Sequence, residues 1–113
     1  MHQGEAMQQA KHLKSIRTLL DRWRGNTARL WAFQAAHCHL TIRIERRGVR
    51  GNLHVMCLEP EFIHGPVQWE DCAFEAQVDP ENPRGGYILR DTHAGFEVKP
   101  GAIEVKENCQ PLP

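Results

Sequence analysis

Two hydrophobic rhythms divide the chain. Leu13, Ile16, Leu20, Trp23, Thr27 and Leu30 follow one another at alternating three- and four-residue steps, and with Leu19 and Trp31 they fall in an arc of about 120° on a helical projection. Lys11, Lys14, Arg22 and Arg29 lie on the opposite side. This pattern predicts an amphipathic helix starting near Met7, after a frayed stretch at 1–6. Gly25-Asn26 is a natural breaking point, with Asn26 or Thr27 able to cap a second piece. The apolar stripe nevertheless stays in phase across it and favours one helix, bent at most.

From Cys38 the rhythm shortens to two. Leu40, Ile42 and Ile44 alternate with Thr41, Arg43 and Glu45, and Leu53, Val55 and Cys57 resume the alternation beyond Gly48-Val49. A hairpin centred on Gly48-Val49 pairs 47 with 50, setting Ile44 opposite Leu53, Ile42 opposite Val55 and Leu40 opposite Cys57. The same register puts His54 opposite Arg43. The second of these strands is apolar on both parities, because Met56 and Leu58 follow His54, so it is expected to be central or covered by a partner.

Beyond it, 59–66 reads as a loop closed by Gly65-Pro66, with Phe62 and Ile63 turned back into the core. An extended stretch at 67–78 changes parity near Glu70-Asp71, which calls for a bulge or bend, and 79–86 is rich in turn formers. A second hairpin around 91–94 is expected to match Tyr87 with Val98 and Leu89 with Phe96. Ile103 and Val105 would then match Val98 and Phe96, unless Pro100-Gly101 makes a corner. The fold expected is therefore α+β in a single domain over 1–113: one long N-terminal amphipathic helix packed on a mostly antiparallel sheet of five to six strands. Strong curvature up to a barrel-like form stays open, and 108–113 is a frayed tail.

Composition narrows the functional classes without choosing among them. Lys plus Arg and Asp plus Glu are 14 each in 113 residues, so any attraction for a polyanion must come from a local patch. Charged positions interrupt the first thirty residues, and no apolar run is long enough to span a membrane. The four cysteines form no C-x-x-C pair and are expected to be reduced, which favours a cytoplasmic protein.

Three constellations could carry chemistry. His37 and His39 share a strand parity and would project two imidazoles from one face, so that His64 or His93 could complete a metal site. His54, about 13 Å along the sheet, could not. Cys38, Cys57 and Cys72 share parity with core residues and read as small hydrophobes, leaving Cys109 as the exposed thiol. Lys11, Lys14, Arg22 and Arg29 on the helix, with Arg46, Arg47 and Arg50 at the first hairpin tip, could grip phosphates. Carboxylates at Glu59, Glu61, Glu70, Asp71 and Asp91 fall at predicted turns and read as solvated surface. No phosphate-loop, dinucleotide, nucleophile-elbow or zincin motif occurs.

The expectation that follows is a non-enzymatic protein-binding or assembly module, with no cofactor, which contacts a protein partner or a second copy through His54, Met56 and Leu58. A nucleic-acid-binding protein using the basic residues, and a small metal- or thiol-dependent enzyme, are the alternatives.

Overall fold

A computed structural model describes residues 3–48 and 50–108. Val49 of the expected hairpin turn, Cys109 and the rest of the C-terminal tail lie outside the described residues. One helix, α1 (Gln3–Arg22), packs against two antiparallel sheets. The strands are β1 (Thr27–Gln34), β2 (His39–Glu45), β3 (Asn52–Leu58), β4 (Ile63–His64), β5 (Gln68–Trp69), β6 (Glu75–Val78), β7 (Tyr87–Asp91), β8 (Phe96–Val98) and β9 (Ala102–Glu107). Their order is β5-β1-β2-β3-β9 in the larger sheet and β4-β8-β7-β6 in the smaller, and neither closes into a barrel. Among the described residues no helix is long and apolar enough to cross a membrane.

The helix does not run through Gly25-Asn26, and Thr27–Gln34 is a strand. Gly25 sits at φ 85, a conformation that helical residues do not adopt. Its N–H donates to Cys72 O at 2.8 Å, and Asn26 O accepts from Cys72 N–H at 2.9 Å, so the chain is already held by extended backbone there. Thr27, Leu30 and Trp31 continue the helical phase by coincidence. In the strand Ala28 is buried between half-exposed Thr27 and Arg29, and Leu30 packs on the core.

The first hairpin has the register that alternation requires: Ile44 faces Leu53, Ile42 faces Val55, Leu40 faces Cys57 and Arg43 faces His54. β3 is central, between β2 and β9. The parity break near Asp71, at φ 54, is where the chain leaves the larger sheet after β5 and enters the smaller one at β6.

The second half departs from expectation in three places. Leu89 pairs with Val98 and Asp91 with Phe96, a shift of two residues that keeps every side chain on its expected face. Pro100-Gly101 makes a corner, so Ile103 pairs with Cys57 and Val105 with Val55 rather than with β8. Phe62 and Ile63 are 45% and 40% exposed, because the short β4 lies at a sheet edge instead of folding inward.

Leu13, Ile16 and Leu20 of the helix, and Trp23 just past its end, join Ile42, Ile44, Leu53, Val55 and Ile103 of the larger sheet and Leu89, Phe96 and Val98 of the smaller in one buried cluster. Helix and second sheet therefore both lie on the same, inner side of β1-β2-β3-β9. The helix also blunts the β9 edge, since His12 Nε2 donates to Ile103 O at 2.7 Å.

Candidate functional site

With the inner side filled, the opposite face of the larger sheet is covered by no described element. Period-two alternation sends Arg29, Arg43, His54 and Lys106 to this outer face, and the registers align them. Arg29 pairs with Arg43, Arg43 with His54, and His54 with Lys106. Four neighbouring strands thus carry a continuous basic row about 14 Å long, at 4.7 to 4.9 Å per strand. Beside it run Thr41, Met56 and Glu104, and then His39, Leu58 and Ala102. Trp31 occupies a bulge between Leu30 and Ala32, and the Arg43 guanidinium lies 4.4 Å from its ring centroid.

The face is partly closed off by its own long side chains. Arg43 is only 11% exposed and its Nε is 2.8 Å from Glu45 Oε1. Arg29 Nε, His39 Nε2, Arg43 Nη1 and His54 Nε2 are all shielded from solvent without a hydrogen-bond partner.

Burial, and then the neighbouring Arg43 charge, hold the His54 imidazole below its ordinary pKa. A depressed folded-state value means that this contribution to stability is complete above the unfolded-state pKa of about 6.5 and is lost as pH falls from there through the folded-state value. Denaturant midpoints measured from about pH 7.5 to about pH 5.5 should therefore fall less steeply for His54→Gln than for the parent chain. Equal slopes would show that His54 takes up its proton as easily in the sheet as in the unfolded chain.

The other expected sites disperse. His37 is exposed in a 3-10 turn (Ala35–His37), His39 lies on the outer face, His64 donates through Nδ1 to Gly95 O in the smaller sheet, and His93 lies in the turn after β7. Among the described residues no three His, Cys, Asp or Glu side chains gather where they could hold a metal ion. Cys57 and Cys72 are buried, and desolvation pushes their thiols up to about 12 and about 11, which keeps them protonated and non-nucleophilic. Cys38 is not a core residue: it is exposed at φ 45, one position before β2.

The seven basic residues expected to grip phosphates do not form one patch. Lys11 and Lys14 are exposed on α1, Arg22 pairs with Glu107 at 2.8 Å, and Arg46 stacks on Trp23 while donating to Arg22 O at 3.3 Å. Arg47 and Arg50 are exposed at the hairpin tip. Arg29 alone joins the outer row, and with Arg46 and Arg47 it also lines an open depression shared with Glu45 and Glu70.

Asp91, read as turn surface, is completely buried. Its Oδ2 accepts from Trp69 Nε1 at 2.7 Å and from Ala73 N–H at 2.8 Å. The signal for it was parity, since Asp91 continues the inward positions Tyr87 and Leu89. Comparison with protein-family models, curated proteins and solved structures gives no match to this chain.

Proposed function

We propose that the chain is a non-enzymatic binding module whose contact surface is the outer face of β1-β2-β3-β9. The observation that carries this reading is the state of the central strand: His54, Met56 and Leu58 are half-buried on a face against which no described element packs. An antiparallel sheet commonly leaves one face to solvent as alternating polar positions, whereas here two of the three outward positions of the central strand, Met56 and Leu58, are apolar, as at an interaction surface. On this reading the module works in the cytoplasm, where free thiols such as Cys38, Cys57 and Cys72 persist.

Assembly of two copies through this face is the less favoured form. A two-fold axis would bring the Arg29-to-Lys106 row against its own copy, and like charges brought together out of water are costly. A partner of different chemistry is favoured instead.

The test is comparative capture. The immobilised chain and its Met56→Lys variant are exposed to cell extract with and without nuclease treatment, and thermal unfolding is measured for both. Because Met56 lies outside the core cluster, the variant should unfold within a few degrees of the parent while losing what the parent retains. Identical retention by two equally stable proteins would remove the outer face as the contact surface.

A further inference from the structure

We propose that the segment joining the two sheets, residues 59–71, is a second docking surface, separate from the outer face, and that it takes an extended peptide in which apolar and basic side chains alternate. The sheets end in four edge strands, β5 and β9 in the larger and β4 and β6 in the smaller. The helix attends to two of them: His12 Nε2 donates to Ile103 O of β9 at 2.7 Å, and Arg17 Nε donates to Ala76 O of β6 at 2.9 Å. The remaining edges, β4 and β5, both belong to the joining segment, and among the described residues no strand pairs with their far sides. A strand edge left open is a row of main-chain hydrogen-bonding groups that an added strand can use.

The same segment turns apolar side chains to solvent. Phe62, Ile63 and Val67 are 45%, 40% and 69% exposed, three of the six large apolar side chains so exposed among the described residues. The segment is nevertheless fastened to both sheets. Glu61 N–H donates to Lys99 O at 3.0 Å, Phe62 O accepts from Lys99 N–H at 2.9 Å, and Val67 O accepts from Leu30 N–H at 2.8 Å. Between these bonds Gly65 passes so close to β8 that a β-carbon there would stand 2.7 Å from Phe96 Cα. An incoming peptide therefore meets edges and apolar groups that need no ordering of their own.

Charge selects the occupant. Glu59, Glu61, Glu70 and Asp71 are exposed, and residues 59–71 contain no Lys or Arg. Glu70 shares a depression with Arg29, Arg46 and Arg47, and Lys99 lies 5.5 Å from the Phe62 ring centroid. Glu59 and Glu61, beside Phe62 and Ile63, are ion-paired to no described residue. A second copy of the chain would bring the same acids to the contact, whereas a basic strand complements them.

Fluorescence anisotropy of a labelled peptide of about ten residues, alternating lysine and valine, tests the proposal. Binding is expected at about 50 mM salt and should weaken as salt is raised. A counterpart alternating glutamate and valine should not bind, and methylation of every backbone nitrogen of the lysine peptide should weaken it by about tenfold or more, since strand pairing is lost. Ile63→Ser and Val67→Ser should each cost about tenfold, the loss of one apolar contact. Glu61→Gln should flatten the salt dependence, and Lys14→Gln, on the exposed helix, should change nothing. Thermal unfolding checks that the variants are folded, and Val67 is exposed enough that its replacement leaves the core untouched.

No binding at the lower salt, equal affinity for the glutamate peptide, indifference to backbone methylation, or full affinity in folded Val67→Ser would each overturn the proposal. Loss of binding in Met56→Lys with none in Val67→Ser would move the peptide to the outer face, which overturns the second surface and leaves the first standing.

Discussion

Asp91→Ala is expected to lower the unfolding free energy by about 4 kcal/mol, measured by urea denaturation at neutral pH. The carboxylate is wholly inaccessible and sits where the two sheets meet. Its Oδ2 accepts from the Trp69 indole of β5 and from the Ala73 backbone, and its Oδ1 accepts from Ala94 N–H at 3.4 Å. Removing it strands two well-placed buried donors at about 1 to 3 kcal/mol each and opens a void against Trp69. Trp69 packs 4.8 Å from Phe96 and 5.5 Å from Phe74, ring centre to ring centre, so its fluorescence should report the loosening directly. Asp91→Asn keeps one acceptor oxygen and should lose about half as much. A loss below about 1 kcal/mol in Asp91→Ala would mean that water satisfies these donors and that the carboxylate does not lock the crossing.

That the lock was read as surface shows where sequence reasoning gives out. The first hairpin was legible because both of its strands alternate strictly on either side of a short turn, leaving one register that keeps Leu40, Ile42, Ile44, Leu53, Val55 and Cys57 inside. Local alternation could not say that β9 returns to β3, since Ile103 and Val105 suit either neighbour. The choice is made by the corner at Pro100-Gly101, where Gly101 N–H donates to Leu58 O at 2.8 Å.

The candidate face was half legible for the same reason. Arg43 opposite His54 follows from the hairpin, and the apolar character of β3 on both parities pointed to His54, Met56 and Leu58. Arg29 and Trp31 were hidden because a bulge in β1 disturbs its alternation and leaves Leu30 and Trp31 in phase with the helical stripe. Lys106 entered the row only once the β3-to-β9 pairing was known.

Trp23→Ala is the second large expected loss, about 3 to 5 kcal/mol, since the ring is 2% exposed in the main core. Trp23 also joins parts that packing alone would not fix. Its indole N–H donates to Glu107 Oε2 at 2.7 Å, tying the end of the helix to β9, and the Arg46 guanidinium lies 4.1 Å above its ring, tying the first hairpin tip to the same point. The two strands so anchored, β2 and β9, carry Arg43 and Lys106 of the outer row. Trp23→Phe separates the contributions, because it keeps most of the apolar burial and a ring for Arg46 but loses the donor. A loss of about 1 to 2 kcal/mol is expected for it at neutral pH. The indole hydrogen bond is the main reason that the Glu107 carboxyl lies below its ordinary pKa, with Arg22 adding to it. A depressed carboxylate stabilises the fold above its unfolded-state pKa, and that contribution is lost as pH falls through the folded-state value. The gap between parent and Trp23→Phe should therefore be wide at neutral pH and narrow once Glu107 is protonated. A gap of the same size across that range would assign the whole effect of Trp23 to packing and none to its hold on Glu107.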